Sequence, residues 1–360
     1  MILIDYSALM HQSIFSSIKQ TNPRIKDGYY ITKDFITNTK YTILERLFEL
    51  QTKYEHKYGN IVICLDNTFV KNWRKDIYYG YKASRKKGRE KSQINYAEVF
   101  SELNALIEEL KTNSPWKVVD VFSAEADDVV LCLSKAFALY EKILIVSSDK
   151  DMIQAQRYGD VSQYSLLTLK FITPETKHEN SVQDWITEHI VLGDGADDIP
   201  KVTDETEFSP EFLKYMKENN LNYSEMDFDC MDYSDIESIT AKFDVWKTDK
   251  SGNKIEKKIY KNPRFGPSTL KKKIEEYGSL DNWLCSNPLY FKHYERNKKL
   301  ILAEEIPTDI YNMCLLNYKA AKTSFNAKDF KQYLLDNDMG KLIAELPANF
   351  SKQSLEDFFG

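Results

Sequence analysis

No apolar run in this chain approaches the roughly 20 residues that a membrane-spanning helix needs, so a helical span is not expected. Neither G-x-G-x-x-G nor a Walker-type phosphate loop occurs, which removes the usual sequence signs of a bound nucleotide cofactor. Cysteine is scarce and scattered: Cys64, Cys132, Cys230, Cys285 and Cys314 form no C-x-x-C pair. Small core residues in a reducing compartment is the reading that follows. The five histidines are isolated, so a zinc site is not expected. No Ser/His/Asp or Cys/His arrangement offers a nucleophile for covalent catalysis. The opening "MILIDYSALM" has no basic stretch ahead of its apolar residues and no cleavage site. It reads as a strand, not a signal peptide, and the cytoplasm is the expected location.

What is present is an ordinary globular balance, 42% hydrophobic and 29% charged. The net charge of −6 conceals strong blocks. Between Lys71 and Lys91 nine basic residues face two acids, and between Lys254 and Lys273 eight face one. Between Thr203 and Asp244 twelve acids face three lysines. A phosphate backbone meets such local fields, not their average.

Four short β-rich runs stand out: "ILI" (2–4), "IVICL" (61–65), "VVDVF" (118–122) and "ILIVSS" (143–148). Largely continuous apolar runs suit strands covered on both faces of a parallel sheet. Helical periodicity separates them, with Ile43, Leu44, Leu47 and Leu50 on one stripe and Val99, Leu103, Leu106, Ile107 and Leu110 on another. The expected fold is α/β, a mainly parallel central sheet flanked by helices, with a helical C-terminal part.

Acids then fall at one edge of that sheet. Asp5 follows the first run, Asp66 the second, and Asp149 and Asp151 the fourth, while Glu125, Asp127 and Asp128 lie just beyond the third. Ligand sites in open parallel sheets form outside the carboxyl ends of the strands. A further group, Asp194, Asp197 and Asp198, sits in "VLGDGADDIP", where the first two share a face if the segment turns helically. Carboxylates so crowded repel one another unless neutralised. Hard divalent cations accept all-oxygen ligands, and two of them roughly 3.5–4 Å apart can straddle a scissile phosphate. Metal-assisted phosphodiester hydrolysis is the chemistry this pattern supports. The stretch "KNWRKDIYYGYKASRKKGREK" (71–91) mixes bases with Trp73, Tyr78, Tyr79 and Tyr81, the combination that holds single-stranded nucleic acid.

Taken in order, "LIDYS" (3–7), "CLDN" (64–67), "AEADDVV" (124–130), "SSDKD" (147–151) and "GDGADDIP" (193–200) resemble the acidic motifs of the structure-specific 5′ nucleases. That family includes flap endonucleases, the 5′-nuclease domain of bacterial DNA polymerase I and phage exonucleases. Trp73-Arg74-Lys75-Asp76, Tyr81-Lys82 and Arg85 add a pattern similar to that of its phage ribonuclease H members. The resemblance covers about residues 1–200 and resumes near 262–285.

It implies one metal site near Asp5, Asp66, Glu125, Asp127 and Asp149, and a second near Asp151, Asp194 and Asp197. Two magnesium ions, replaceable by manganese, would occupy them, with Asp128 and Asp198 acting through water or as supports. Arg74, Lys82 and Arg85 would steer the scissile phosphate from an arch or bridge at about 70–92. Trp73, Tyr81, Lys86, Lys87 and Arg89 would contact nucleic acid. "RFGPSTLKKKIEEYGSLDNWL" (264–284) resembles half of the family's helix-hairpin, implying duplex contacts at Gly266, Ser268, Lys271 and Lys272. A helix N-terminus there offers free amides to a phosphate.

The expected organisation is a catalytic core over 1–200, a helix-hairpin DNA-binding domain over 201–346 with an acidic insert at about 203–262, and a tail at 347–360. In "NFSKQSLEDFFG", Leu355, Phe358 and Phe359 align on one helical face, similar to a sliding-clamp-binding tail. The family pattern departs at Asp198, where Asn is usual, and at Arg264, where a hairpin glycine is usual. The function implied is 5′-3′ exonuclease and 5′-flap endonuclease action on RNA·DNA and DNA duplexes, with primer removal in phage replication. Expected partners are those duplexes, a sliding clamp and a single-stranded-DNA-binding protein, with no membrane and a monomeric state. The rival readings are a PIN-type ribonuclease and a non-catalytic, clamp-tethered binder of branched DNA.

Overall fold

The computed structural model describes residues 1–68, 70–78, 80–174, 181–203, 246–248, 254–256, 265–321 and 325–347. The tail residues Leu355, Phe358 and Phe359, the side chains of Lys86 and Lys87, and most of the acidic insert lie outside what is described. Two compact units result, and both are assembled from separated segments. One comprises Met1–Asn72, Lys87–Gln183 and Ile306–Gly360; the other comprises Trp73–Lys86 and Asp184–Glu305.

The first unit is built on a six-stranded sheet in the order β5-β4-β1-β6-β7-β8. Its strands are β1 (Ile2–Asp5), β4 (Ile61–Cys64), β5 (Lys117–Val119), β6 (Ile143–Val146), β7 (Val161–Ser165) and β8 (Lys170–Ile172). The intervening β2 (Ile25–Lys26) and β3 (Tyr29–Tyr30) form a separate antiparallel hairpin. The sheet is parallel from β5 through β7 and ends in the antiparallel β7–β8 pair. β1, β4 and β6 are buried along their whole length, as continuous apolar strands covered on both faces should be.

Before the second unit's main segment this unit holds α1 (Tyr6–Thr21), α2 (Ile36–Tyr58), α5 (Tyr96–Asn113) and α6 (Ala126–Phe137), while α4 (Ala83–Glu90) is divided between the units. The predicted stripes are the buried ones: Ile43, Leu44, Leu47 and Leu50 on α2, and Val99, Leu103, Leu106, Ile107 and Leu110 on α5.

The second unit holds α3 (Trp73–Ile77), most of α7 (Val182–Leu192), α8 (Pro267–Tyr277), α9 (Leu280–Cys285) and α10 (Pro288–Ile301). Val191, Val202, Leu270, Trp283 and Leu284 form its apolar centre, with Phe265 stacked on Trp283 at 5.4 Å. β9 (Trp246–Thr248) and β10 (Lys254–Glu256), an antiparallel pair, lie within the predicted insert.

This division departs from the linear one that the sequence suggests. Residues 306–347 belong to the sheet unit, through α11 (Thr308–Ala320), α12 (Ala327–Asp336) and a 3-10 turn at Gly340–Glu345. Phe330, Leu334, Met339 and Leu342 are buried in the sheet unit's core, and that apolar face draws the segment back. Basic residues 73–86 pack as part of the second unit, because Trp73 and Arg74 are buried there. Cys64, Cys132 and Cys314 are free and buried as expected, whereas Cys285 is exposed. Burial pushes the Cys64 thiol up, and contact with Cys314 followed by burial does the same for Cys132.

Candidate functional site

The sheet register brings the acids of the first unit together at one edge. Asp5 is level with Cys64 on β4, Cys64 with Val119 on β5, and Ile4 with Val146 on β6. The chain therefore leaves all four strands on the same side, where Asp66, Glu125, Asp127, Asp149 and Asp151 follow within a few residues. β1 connects onward to β4 on one side and β6 to β7 on the other. The connections thus reverse direction between β1 and β6, the place where open α/β sheets bind ligands.

Local hydrogen bonds fix these carboxylates. Asp5 caps α1, its Oδ1 accepting from the Ala8 amide at 3.0 Å, while its Oδ2 accepts from Ser147 Oγ at 2.8 Å. Asp66 Oδ1 accepts from the Ala126 amide, the first of α6, at 2.7 Å. Glu125, the residue before that helix, accepts from Asn72 Nδ2 at 3.3 Å. Asp149 Oδ1 accepts from the Asp151 amide at 2.9 Å. The fully buried Gln163 on β7 donates to the carbonyls of Ser147 and Asp149 and so sets the loop that carries both acids. Asp128, which the resemblance implied as a support, is fully buried and accepts the Glu125 amide at 2.9 Å. It caps α6.

Asp5 and Glu125 are only 5% and 6% exposed, a costly position for ionised carboxylates without a compensating cation. The donors on this edge are all carboxylate oxygens, and two of the six side chains, Asp5 and Glu125, are buried. That chemistry fits a hard divalent cation and does not fit a soft one.

In the second unit the segment after α7 is a tight loop. The Asp194 and Ile199 backbones exchange hydrogen bonds at 2.9 and 2.8 Å, and the Asp197 amide donates to the Asp194 carbonyl at 3.2 Å. Asn297, fully buried on α10, donates to the Ile190 and Pro200 carbonyls and holds both ends of the loop. Gly193 has φ +64°, and a Cβ there would collide with the carbonyl oxygens of Ile199 and Pro200. Gly193→Ala should therefore cost more than the roughly 1–2 kcal/mol of left-handed strain alone. Thermal denaturation measures it, and an unchanged melting temperature would disprove this account of the loop.

Asp197 meets three residues of the basic stretch within this unit. Arg85 Nη2 donates to its Oδ1 at 2.6 Å, Tyr81 OH to its Oδ2 at 3.1 Å, and Lys82 Nζ lies 3.4 Å from Oδ2. Lys82 has φ +55°, uncommon for lysine, and its amide donates to the Asp197 carbonyl. Asp198 also lies in the left-handed region, at φ +58°, and accepts the Ser84 amide at 2.8 Å. Asn and Asp tolerate that backbone conformation better than other side chains, which accounts for an Asp where the family pattern has Asn.

Two residues expected to contact nucleic acid, and Arg74, expected to steer the scissile phosphate, lie inside the second unit. Trp73 and Tyr81 are 6% and 2% exposed, so neither ring face is open to a base. Arg74 is 5% exposed, sits over both rings, and its Nε donates to the Leu300 carbonyl at 2.8 Å. Burial of the aromatics carries the arginine in with them. Arg89, Ser268, Lys271 and Lys272 are exposed. Gly266 is the cap residue before α8 with Pro267 at its first position, and a shallow depression there is lined by Lys201 and Phe265 through Thr269.

His189, dismissed with the other histidines, is buried with Nε2 3.8 Å from Asp194 Oδ2 and its ring stacked on Trp185 at 4.9 Å. Its place at the end of α7, five residues before Asp194, was the only sign of this in the sequence.

A parallel sheet with carboxylates gathered at its carboxyl edge is the class of protein that these features define. Residues 1–185 match the family described as 5′-3′ exonuclease, N-terminal resolvase-like domain, and the chain belongs to that family. Ribonuclease H of Enterobacteria phage T4 is 37% identical over 152 residues, 42% of this chain and 49% of that protein. A 5′-3′ exonuclease of Buchnera aphidicola subsp. Schizaphis graminum is 28% identical over 187 residues, 49% of this chain and 61% of that protein. The chain thus matches about half the length of the first of these relatives and under two thirds of the second. Among solved structures, the bacteriophage T5 flap endonuclease in a complex with DNA and metal ions aligns with a TM-score of 0.51 at 12% identity, over 89% of this chain and 98% of that one. A T5 5′-exonuclease with bound zinc aligns with a TM-score of 0.48 at 14% identity, over 93% of this chain and 98% of that one. At 12% identity the likeness to the first of these structures is one of fold. Among the described residues no helix is long and apolar enough to cross a membrane.

Proposed function

We propose that this chain is a divalent-metal-dependent 5′ nuclease, acting as 5′-3′ exonuclease and 5′-flap endonuclease on RNA·DNA and DNA duplexes. Removal of RNA primers during phage replication in the host cytoplasm is the role that fits it. The observation that carries this reading is the delivery of carboxylates to one edge by four adjacent parallel strands. Asp5, Asp66, Glu125, Asp127, Asp149 and Asp151 are the first unit's candidates to hold metal, with magnesium favoured and manganese as a substitute. The second unit has Asp194 and Asp197 as carboxylate donors of its own. Bound divalent ions supply a Lewis acid for the scissile phosphate and a more acidic water.

The protein's own groups do the positioning. Gln163 and Ser147 keep the Asp5 and Asp149 carboxylates in place, and the first amide of α6 orients Asp66. Lys82 and Arg85 are the cations proposed to meet phosphate, with Asp197 as their counter-ion. Arg89 and the α8 residues Lys271 and Lys272 add sequence-independent attraction that weakens with salt. A sliding clamp, through Leu355, Phe358 and Phe359, and a single-stranded-DNA-binding protein are proposed partners on the sequence pattern.

The test compares wild type with Asp127→Asn and Asp151→Asn on labelled 5′-flap and RNA·DNA substrates with magnesium. Wild type should release 5′ products, and both variants should be slower by at least about a hundredfold. Equal cleavage by all three proteins would sink the metal mechanism. Tight branched-DNA binding by an inert wild type would favour the non-catalytic rival.

A further inference from the structure

Asp194 is buried in the second unit, and its neighbours in that unit decide what else can ligate beside it. The tight loop after α7 gives the carboxylate a fixed direction. Its Oδ1 accepts the Ala196 amide at 2.8 Å, while its Oδ2 faces His189. The carboxylate expected to join it is Asp197, in the same loop. Both oxygens of Asp197 are engaged by the basic stretch, Oδ1 by Arg85 and Oδ2 by Tyr81 and Lys82. Two cations so close oppose the approach of a divalent ion to those oxygens.

His189 offers the second donor instead. Its Nε2 lies 3.8 Å from Asp194 Oδ2, too long for a hydrogen bond between the two. A charged His–Asp pair serving structure alone would close to about 2.8 Å. Two ligands on one ion, each about 2.1 Å from it, are about 3.0 Å apart at a right angle and about 3.4 Å apart at the tetrahedral angle. A closure of about half an ångström therefore brings this nitrogen and this oxygen onto a common cation. The imidazole is held in place for it. Its ring is buried and stacks on Trp185, one helical turn earlier, at 4.9 Å and 25°. His189 also lies in the last turn of α7, where the carbonyl end of a helix favours positive charge.

We infer that His189, through Nε2, is a ligand of the divalent ion held by Asp194, and that it sets which ion this place prefers. The inference rests on the divalent-metal reading of Asp194 and adds a nitrogen to donors that are otherwise all oxygen. Imidazole suits transition-metal ions, whereas magnesium takes oxygen ligands and gives up water reluctantly. The second unit's ligands thus discriminate among ions in favour of manganese, cobalt and zinc over magnesium.

Pulsed electron paramagnetic resonance of the full-length protein, loaded with one to three equivalents of manganese, tests this. A nitrogen bonded to manganese modulates the electron-spin echo, and directly bound carboxylate or water oxygens do not. Wild type should show that modulation, and His189→Gln should abolish it by putting an amide oxygen in place of the ring nitrogen. Calorimetric titration should show manganese binding about tenfold weaker in His189→Gln, with magnesium binding changed by less than about twofold. Asp194→Asn, nearly isosteric, gives a second reading that does not depend on how His189→Gln folds: weakening the shared ion should also remove the modulation. No modulation in wild type at any loading, or modulation that survives either substitution, overturns the ligand assignment. Equal losses of manganese and magnesium binding overturn the selectivity. Flap cleavage read separately keeps the two ideas apart. A wild type that cleaves but shows no modulation defeats the histidine ligand alone. An inert wild type whose modulation depends on His189 defeats the nuclease reading alone.

Discussion

Asp5→Asn should leave a folded protein whose cleavage has fallen by about a thousandfold or more, a loss of about 4 kcal/mol in transition-state stabilisation. Asp5 has two jobs in the structure, and the substitution separates them. As the cap of α1 it accepts the Ala8 amide, and asparagine caps a helix about as well as aspartate. Toward Ser147 the amide group can donate where the carboxylate accepted, since a hydroxyl serves in either sense. What disappears is the charge. At 5% exposure that charge is held where water cannot replace it, so any divalent ion on this edge loses a strong ligand. Single-turnover cleavage with magnesium, calorimetric titration with manganese and a thermal melt together check the result. A melting temperature near wild type with weakened manganese binding is expected. Cleavage within a few-fold of wild type would remove Asp5 from the metal centre.

Trp116→Ala should be the most damaging substitution for stability. The indole is fully buried, packs on Phe48 at 5.9 Å, and Phe48 in turn meets Phe330 from the C-terminal segment. Its Nε1 donates to Gln51 Oε1 at 3.1 Å, and that oxygen also accepts the Ile61 amide at the start of β4. Truncation empties a large space between α2 and the sheet and weakens the hydrogen bonding of a buried amide side chain. Together these place the cost at about 3–5 kcal/mol, or a fall in melting temperature of roughly 10 °C. Circular dichroism on heating reads it directly. Trp116→Phe should lie between the two, and a shift below about 3 °C for the alanine variant would show that this contact is not central.

The central strands were legible because β1, β4 and β6 are continuous apolar runs that need burial on both faces. Their acids could be placed because a parallel sheet has one carboxyl edge. β7 and β8, "VSQYS" and "KFI", were not legible, since their short and partly polar sequences carry no clear period. Trp73 and Tyr81 looked like stacking residues because composition cannot tell a ring that meets solvent from one that covers an arginine. Long-range packing decided that outcome, through the reach of Arg74 to Leu300.

The return of residues 325–342 to the sheet unit has a consequence for how the chain is made. During synthesis the strands and α2 leave the ribosome well before Phe330, Leu334, Met339 and Leu342, which complete the same core but follow the second unit's main segment in the chain. The acid-bearing edge is thus made on a unit whose apolar interior stays open until that later segment has been synthesised. A nascent product that stops before Phe330 would carry every carboxylate proposed for metal and still lack a closed core, which makes it a substrate for chaperones and proteases and not a short active enzyme.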